Sequence, residues 1–135
     1  MLNDDQIGLL LQSARAVQSR AVAPYSQYKV GAALMAATGR IYTGMNIENA
    51  TYSAVHAENL ALYVALMTGE TEFLGLVVVT NDANMPYPCG SCRQELSHHC
   101  KPDFGIIGAN LTQRREQKTL GELLPDLFGA DNLKT

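Results

Sequence analysis

The chain has 135 residues, of which 47% are hydrophobic and 17% charged, and these values predict one globular domain spanning residues 1–135 without long disorder. No run approaches the roughly 20 apolar residues that span a bilayer, and the acidic start MLNDDQ is unlike a secretory signal, so we expect a cytoplasmic protein with no membrane partner. A net charge of -3 argues against nucleic acid as a partner and favours a small molecule, because polyanions are bound by basic surfaces.

The first predicted elements are a helix and a β-hairpin. Apolar residues recur at helical spacing after a potential cap at Asn3, namely Ile7, Leu10, Leu11, Ala14 and Val17. Pro24 ends this region, and the segments VGAALMA and RIYTGMN then predict two strands joined by a tight turn at Gly39.

Helices alternate with strands in the rest of the chain. We predict a helix over 54–67, a buried strand in FLGLVVVT, a helix in GSCRQELSHHC, a strand in FGIIGA and a short C-terminal helix in TLGELLPDLF. The charged segment TQRREQK is predicted to be a solvated link with space for an edge strand. This order predicts an α/β fold, a three-layer α/β/α sandwich around one mixed five-stranded sheet.

A closely spaced cysteine pair is the first candidate for chemistry. The sequence Cys89-Gly90-Ser91-Cys92 fits half a zinc site, a redox dithiol or two buried cysteines. Since the pair follows Pro88 at a predicted helix start, both sulfurs face the same way and the helix dipole stabilises thiolates. Both sulfurs can therefore bind one metal ion.

Zinc needs one or two further ligands, and the nearby candidates are His98, His99 and Cys100. With Cys92 and Cys89 they would form a closed structural site. A helix, however, would separate His99 from Cys92 by about 10 Å along its axis. A zinc bond is only about 2.1 Å long. We therefore expect the two histidines to be surface or packing residues and Cys100 to be a spare thiol.

The remaining candidate ligand is His56, in the segment SAVHAENLAL. On the side of a helix His56 and Glu58 would lie roughly 200° apart, but in a first turn both can face one point beyond the helix end. His56 with Cys89 and Cys92 leaves a fourth zinc position open, as in catalytic sites, and Glu58 would carry protons there. Alone, the His-x-Glu motif favours a capping histidine and a solvated glutamate; with a later Pro-Cys-x-x-Cys it is the signature of zinc deaminases.

Four sequence blocks carry a resemblance that covers nearly the whole chain: APYSQYKVGAAL, NIENATYSAVHAE, PCGSCRQEL and TLGELLPDLFG. In order and spacing they resemble the cytidine deaminase family, in its short, homotetrameric, zinc-dependent form. The resemblance implies a cytidine-deaminase-like fold, a Zn²⁺ cofactor, and hydrolytic deamination of cytidine, deoxycytidine or a modified cytosine nucleoside in pyrimidine salvage. It also implies a homotetramer in which neighbouring subunits complete each active site.

The same resemblance implies roles for individual residues. Asn46 and Glu48 match a pair that binds the ribose hydroxyls, and the backbone of Ala57 would lie against the base. Tyr52 and Phe128 match residues that reach a neighbouring subunit's pocket. The residues alone allow simpler interpretations, since Asn46 is typical of a strand-end turn and Phe128 of core packing by the last helix.

The chain departs from the family pattern at three positions. His56 replaces a third cysteine, and Asn59 replaces an arginine that follows the catalytic glutamate. We interpret these as one change, because two thiolates and a neutral histidine leave no excess negative charge for an arginine to neutralise. Tyr28 replaces a phenylalanine that packs on the pyrimidine, and its added hydroxyl needs a partner if buried. The preferred cytosine nucleoside is therefore left open.

Two other functions share some of these motifs. A deaminase of a purine base, a tRNA adenosine or an aminonucleoside antibiotic would also contain His-x-Glu and Pro-Cys-x-x-Cys, although the acidic balance and the NIEN block favour a free nucleoside. A non-catalytic zinc or redox module would explain the cysteines. Such a module would leave Glu58 and the NIEN block without a role.

Overall fold

One mixed sheet organises the molecule, which we describe from a computed structural model over residues 2–133. The elements are α1 (Asp4–Gln18), β1 (Val30–Ala36), β2 (Ile41–Met45), β3 (Ile47–Glu48), β4 (Ala54–Val55), α2 (Ala57–Met67), β5 (Phe73–Thr80), α3 (Gly90–Ser97), β6 (Gly105–Ala109), β7 (Arg115–Thr119), α4 (Leu120–Leu123) and a 3-10 turn (Ala130–Leu133). Five strands pair in the order β2-β1-β5-β6-β7, with β5 and β6 parallel and the other pairs antiparallel. The predicted mixed five-stranded sheet is confirmed.

Alternate residues of the central strands point to opposite layers, as the pleat of a strand requires. On one face Ala33 and Val77 pack against Leu10 of α1. On the other face Leu34 and Leu76 belong to a cluster that also contains buried apolar residues of α2, α3 and α4, among them Leu62, Leu96 and Leu120. The predicted three-layer α/β/α arrangement is therefore confirmed.

Three predicted helix boundaries were wrong. The helix predicted over 54–67 begins only at Ala57, because Ala54–Val55 instead pairs with Ile47–Glu48 in a small antiparallel ladder. The helix predicted over 90–100 ends at Ser97. The C-terminal helix has a single turn, since Leu124 leaves the helical conformation before Pro125, and proline disfavours a helical conformation in the residue before it.

The starts of the helices differ in a way that bears on function. Helices α1 and α4 begin with capping boxes built on Asn3 and Thr119, which typically stabilise a helix by about 1 kcal/mol. Helices α2 and α3 begin at His56 and Cys89, whose side chains make no capping hydrogen bond. Within residues 2–133, no helix is both long enough and apolar enough to cross a lipid bilayer.

Strand β2 and helix α2 approach each other closely at Gly44. A Cβ atom at this position would lie 2.1 Å from the carbonyl oxygen of Ala57 and 2.7 Å from the backbone nitrogen of Ala61. Backbone atoms cannot rotate away as a side chain can. The absence of a side chain at Gly44 therefore sets how the first turn of α2 lies on the sheet.

Replacing Gly44 with alanine is expected to lower the free energy of unfolding by about 3 kcal/mol or more, at the upper end of the usual cost of overpacking. Urea denaturation measures this loss. Gly8→Ala is the matched control, because Gly8 lies in α1 with open space around its Cβ position, and there alanine is expected to stabilise by up to about 1 kcal/mol. Equal urea midpoints for Gly44→Ala and the parent would contradict the close contact.

Candidate active site

Two helix starts meet at one point, and together they supply three candidate metal ligands. His56 is the N-cap of α2, while Cys89 is the N-cap of α3 and Cys92 lies in its first turn. The His56 Nδ1 atom lies 3.2 Å from the Cys89 sulfur and 3.3 Å from the Cys92 sulfur. The three ligand atoms all lie within 4.8 Å of one another. The predicted convergence of an imidazole and two sulfurs is thus present in the structure.

The spacing and chemistry of these donors fit zinc. Zinc bonds of about 2.0–2.1 Å to nitrogen and 2.3 Å to sulfur place tetrahedral ligands about 3.5 Å apart, close to the separations at His56. Two cysteines, one histidine and an open fourth position are a ligand set of catalytic zinc sites. Because Nδ1 faces both sulfurs, the imidazole proton belongs on Nε2 when a metal is bound.

The capping interpretation of His56 was wrong. Its ring makes no capping hydrogen bond, and its coordinating nitrogen faces sulfur instead. The unpaired N–H groups at the starts of α2 and α3 carry partial positive charge, which stabilises nearby thiolates. The two helix starts that lack a side-chain cap are thus the ones that bring His56 and Cys89 together.

Glu58, in the first turn of α2, is buried beside the ligands with 6% of its surface exposed. Burial raises the pKa of its carboxyl group, and a hydrogen bond from its own backbone N–H and the charge of His56 partly oppose this shift. The solvated-glutamate interpretation was therefore wrong. A carboxyl group whose pKa is raised above its ordinary value is well suited to exchange protons with a reacting molecule.

Cys92 is fully buried, and burial raises the pKa of its thiol, as do the charges of Glu58 and Cys89. A hydrogen bond from the backbone N–H of Asn59 to the sulfur acts in the opposite direction. A bound metal ion would instead favour the thiolate form of Cys92, because a coordinating thiol is deprotonated. The protein environment alone thus disfavours a free thiolate at Cys92.

A cavity of about 200 Å³ opens beside the three ligands. It is lined by Tyr28, Val30, Asn46, Ala54, His56, Ala57, Glu58, Val78, Pro86, Tyr87 and Cys89. Small-molecule sites typically combine apolar walls with a few placed polar groups, as this cavity does. Six of the residues singled out from the sequence line the cavity, namely Tyr28, Asn46, His56, Ala57, Glu58 and Cys89. Cys92 is not part of the lining, but its sulfur lies 3.3 Å from His56 Nδ1.

The sequence reasoning missed five residues of the cavity wall: Val30, Ala54 and Val78, and the adjacent pair Pro86 and Tyr87. Tyr87 is fixed from outside, since its hydroxyl donates to Glu116 at 3.4 Å and the Lys118 ammonium lies 5.6 Å from its ring centroid. The available signal for Pro86 and Tyr87 was position, because both residues directly precede the Pro88-Cys89 pair. The placement of Tyr87 depends on β7, which is distant in sequence.

Asn46 is buried, lines the cavity and holds one of its walls in place. Its side-chain oxygen accepts from the backbone N–H of Val30 at 2.8 Å, and its side-chain nitrogen donates to the carbonyl of Tyr28 at 2.6 Å. The strand-end interpretation therefore captures part of its role. An amide has further hydrogen-bonding capacity, which leaves Asn46 able to contact a ligand as well.

Glu48 does not line the cavity, although the resemblance pairs it with Asn46. Its carboxylate accepts from the backbone N–H groups of Tyr25 and Ser26, each at 3.1 Å, and from the Ser26 hydroxyl. These bonds, led by the Ser26 hydroxyl, lower the pKa of Glu48. Glu48 thus organises the loop that carries Tyr28, and its own contact with substrate remains a prediction.

The aromatic residues singled out from the sequence differ in position. Tyr28 lines the cavity and is 39% exposed, so its hydroxyl is not forced to find a protein partner. Tyr52 and Phe128 lie outside the cavity lining and are 86% and 59% exposed, which shows that core packing was the wrong interpretation of Phe128.

His98 and His99 are exposed and lie outside the ligand cluster, as does Cys100.

Comparisons with known proteins agree with this geometry. Residues 4–106 match the family model described as the cytidine and deoxycytidylate deaminase zinc-binding region. A cytidine deaminase of Sporosarcina psychrophila is 37% identical over 92% of this chain and 92% of its own length. A cytidine deaminase of Mycobacterium tuberculosis is 37% identical over 93% of this chain and 91% of its own length. The crystal structure of cytidine deaminase from Burkholderia pseudomallei superposes with a TM-score of 0.86 at 38% identity, covering 90% of this chain and 98% of that one. With its His-Cys-Cys ligand cluster, this chain belongs to the zinc-binding cytidine deaminase family.

Proposed function

We propose that this chain catalyses the hydrolytic deamination of cytidine or deoxycytidine to the corresponding uridine nucleoside and ammonia. The observation that carries the proposal is the buried Glu58 carboxyl group beside the His56, Cys89 and Cys92 ligand atoms in one cavity. The similarity to cytidine deaminases over more than nine-tenths of the chain supports the choice of substrate class. We further propose that residues 1–135 form a single catalytic domain.

Bound zinc would supply a Lewis acid that makes water a competent nucleophile near neutral pH. His56, Cys89 and Cys92 would hold it and leave one position open to the cavity. Glu58 would take a proton from the attacking water and deliver it to the ring nitrogen next to the amine-bearing carbon, which makes that carbon electrophilic. Glu58 would then take the remaining proton from the hydroxyl group newly added to that carbon and pass it to the amine, so that ammonia leaves and a carbonyl remains.

Residues around the cavity would orient the nucleoside. The backbone of Ala57, in the first turn of α2, would contact the base, and the ring of Tyr28 would cover one of its faces. Asn46 and Glu48 would bind the ribose hydroxyls. Each side chain retains hydrogen-bonding capacity beyond the bonds that it makes to residues 25–30. A nucleoside bound in this way would present its amine-bearing carbon to the zinc site.

We also propose that the active enzyme is a homotetramer in which each cavity is completed by neighbouring subunits. Tyr52 and Phe128 are large and exposed, and neither lines the cavity of its own chain. Tyr52 also stacks edge-on with Tyr25, with ring centroids 5.9 Å apart, which makes an exposed aromatic surface. Such a surface suits burial against a second copy of the chain.

The proposal is tested by incubating purified protein with cytidine, deoxycytidine, modified cytosine nucleosides, adenosine and guanine, and measuring ammonia release. We expect ammonia from cytidine or deoxycytidine and none from the purines. Ammonia from a purine alone would support the other deaminase function. A protein that holds no zinc and oxidises reversibly at Cys89 and Cys92 would support the redox module.

His56 and Asn59 provide a further prediction. Replacing His56 with cysteine is expected to lower kcat/KM, because a third thiolate leaves the zinc centre with net negative charge. Adding Asn59→Arg is expected to restore part of the loss. Asn59 is well placed for this, since its backbone N–H contacts the Cys92 sulfur and its side-chain oxygen is buried with no hydrogen-bond partner in the described chain.

Steady-state kinetics of the single and double variants measure the effect. Asn59→Arg in the presence of the native His56 is the control, and there the added arginine is expected to give no gain. A double variant no more active than His56→Cys would contradict the compensation.

A further inference from the structure

Arg93 directly follows the ligand Cys92 and lies partly buried on α3. Among residues 2–133 its guanidinium makes two hydrogen bonds, and both acceptors are backbone carbonyls. Nε donates to Pro88 at 2.6 Å, and Nη1 donates to Leu123 at 2.8 Å. One side chain therefore connects two segments that lie 35 positions apart, at 88 and 123.

The bond to Pro88 acts on the zinc ligands. Pro88 immediately precedes Cys89, and the backbone N–H of Arg93 also donates to the carbonyl of Cys89 at 2.9 Å. Arg93 thus binds the backbone carbonyls of both peptide groups that flank the Cα atom of Cys89. This fixes the Cys89 sulfur relative to Cys92, one turn along the helix.

The bond to Leu123 acts on the C-terminal segment. Leu123 is the last residue of α4, where helix carbonyls lack helical partners. The guanidinium is planar and presents its donors in a rigid fork, so it can bridge two fixed carbonyls in one geometry. A lysine ammonium is a single point on a flexible stem and is poorly suited to hold both.

The next residue, Gln94, allows the effect of the Arg93 bond to Pro88 to be separated from that of its bond to Leu123. Gln94 Nε2 donates to the carbonyl of Phe128 at 2.7 Å, so it also ties the C-terminal segment to α3. Gln94 makes no such bond to the loop that precedes Cys89. Its removal therefore loosens the C-terminal segment alone.

We propose that Arg93 is a positioning residue for the metal site, and that it acts by holding the Pro88-Cys89 backbone against the first turn of α3. The inference rests on the proposed function for the identity of the bound metal. Hydrogen bonds that orient metal ligands from outside typically change metal affinity or activity by about 10- to 100-fold when removed. Without Arg93, the Cys89 loop would move relative to His56 and Cys92, and zinc would escape faster.

The test measures the rate at which zinc-loaded protein releases zinc to an excess of a coloured chelator, with no substrate present. Arg93→Lys is expected to speed release by about tenfold or more. Arg15→Lys is the matched control: Arg15 is also partly buried, and its Nη2 donates to the carbonyl of Asn110 at 3.2 Å, but it lies on α1 in the opposite layer. It is expected to release zinc at the parent rate, as is Gln94→Ala.

Three results would overturn the assignment: release from Arg93→Lys at the parent rate, equal acceleration in Arg15→Lys, or equal acceleration in Gln94→Ala. The second would indicate general loss of stability, and the third would place the effect in the C-terminal segment. Thermal unfolding of all three variants shows whether their Tm values fall alike, as a merely structural role for both arginines predicts. A chain that holds zinc but deaminates no nucleoside would contradict the proposed function alone, because zinc release needs no turnover.

Discussion

Replacing Glu58 with glutamine is expected to lower kcat for cytidine deamination by about 100- to 10,000-fold, the usual contribution of a positioned acid or base. Glutamine keeps the shape of the side chain but cannot carry a proton between the attacking water, the ring nitrogen and the departing amine. The zinc content is expected to stay at the parent level, because Glu58 lies beside the ligand cluster and is not part of it. Steady-state kinetics and metal analysis on the same preparation measure both quantities.

Glu70→Gln is the matched control for this substitution. Glu70 accepts hydrogen bonds from the hydroxyls of Thr38 at 2.6 Å and Tyr42 at 3.0 Å, and it lies outside the cavity lining. Its replacement is expected to leave kcat near that of the parent. Near-normal turnover in Glu58→Gln would remove Glu58 from the proton-carrying role.

Replacing Cys89 with serine is expected to weaken zinc binding by more than about 100-fold, which exceeds the usual effect of residues outside the ligand set. Activity is expected to fall in parallel and to recover only with excess zinc. Cys89 is exposed, so this substitution removes a ligand without opening a cavity in the core. Competition with a chelator measures the affinity, and kinetics at graded zinc concentrations measure the recovery.

Cys100→Ser is the control, because Cys100 lies outside the cluster formed by His56 and the other two cysteines. It is expected to bind zinc as the parent does. Treatment of the parent with a strong chelator is expected to abolish activity, and added zinc is expected to restore it. A fully active Cys89→Ser protein that contains no zinc would contradict the metal-dependent mechanism.

The cluster of His56, Cys89 and Cys92 could be predicted from the sequence because its members lie at helix starts. Pro88 and the pattern around Cys89 mark one start, and the His-x-Glu spacing makes sense only at another. Length and periodicity likewise predict the sheet, since alternate residues such as Ala33 and Leu34 must face different layers. Local patterns were sufficient for both features.

The remaining parts of the site depend on contacts between distant segments, which local patterns do not encode. Ala54–Val55 forms a strand only because Ile47–Glu48 lies opposite, and the start of α2 moves accordingly. Tyr87 becomes a cavity wall because β7 holds it from outside. Glu48 is bonded to the Tyr25-Ser26 loop, and nothing in the NIEN block indicates this.

X-ray absorption spectroscopy of the zinc-loaded protein tests the metal site most directly. With His56, Cys89 and Cys92 as ligands and one position open to solvent, the zinc shell should contain two sulfurs at about 2.3 Å and two nitrogen or oxygen atoms at about 2.0–2.1 Å. Multiple scattering from a single imidazole should accompany them. A shell of three or four sulfurs, or one that contains no sulfur, would contradict this assignment of the ligands.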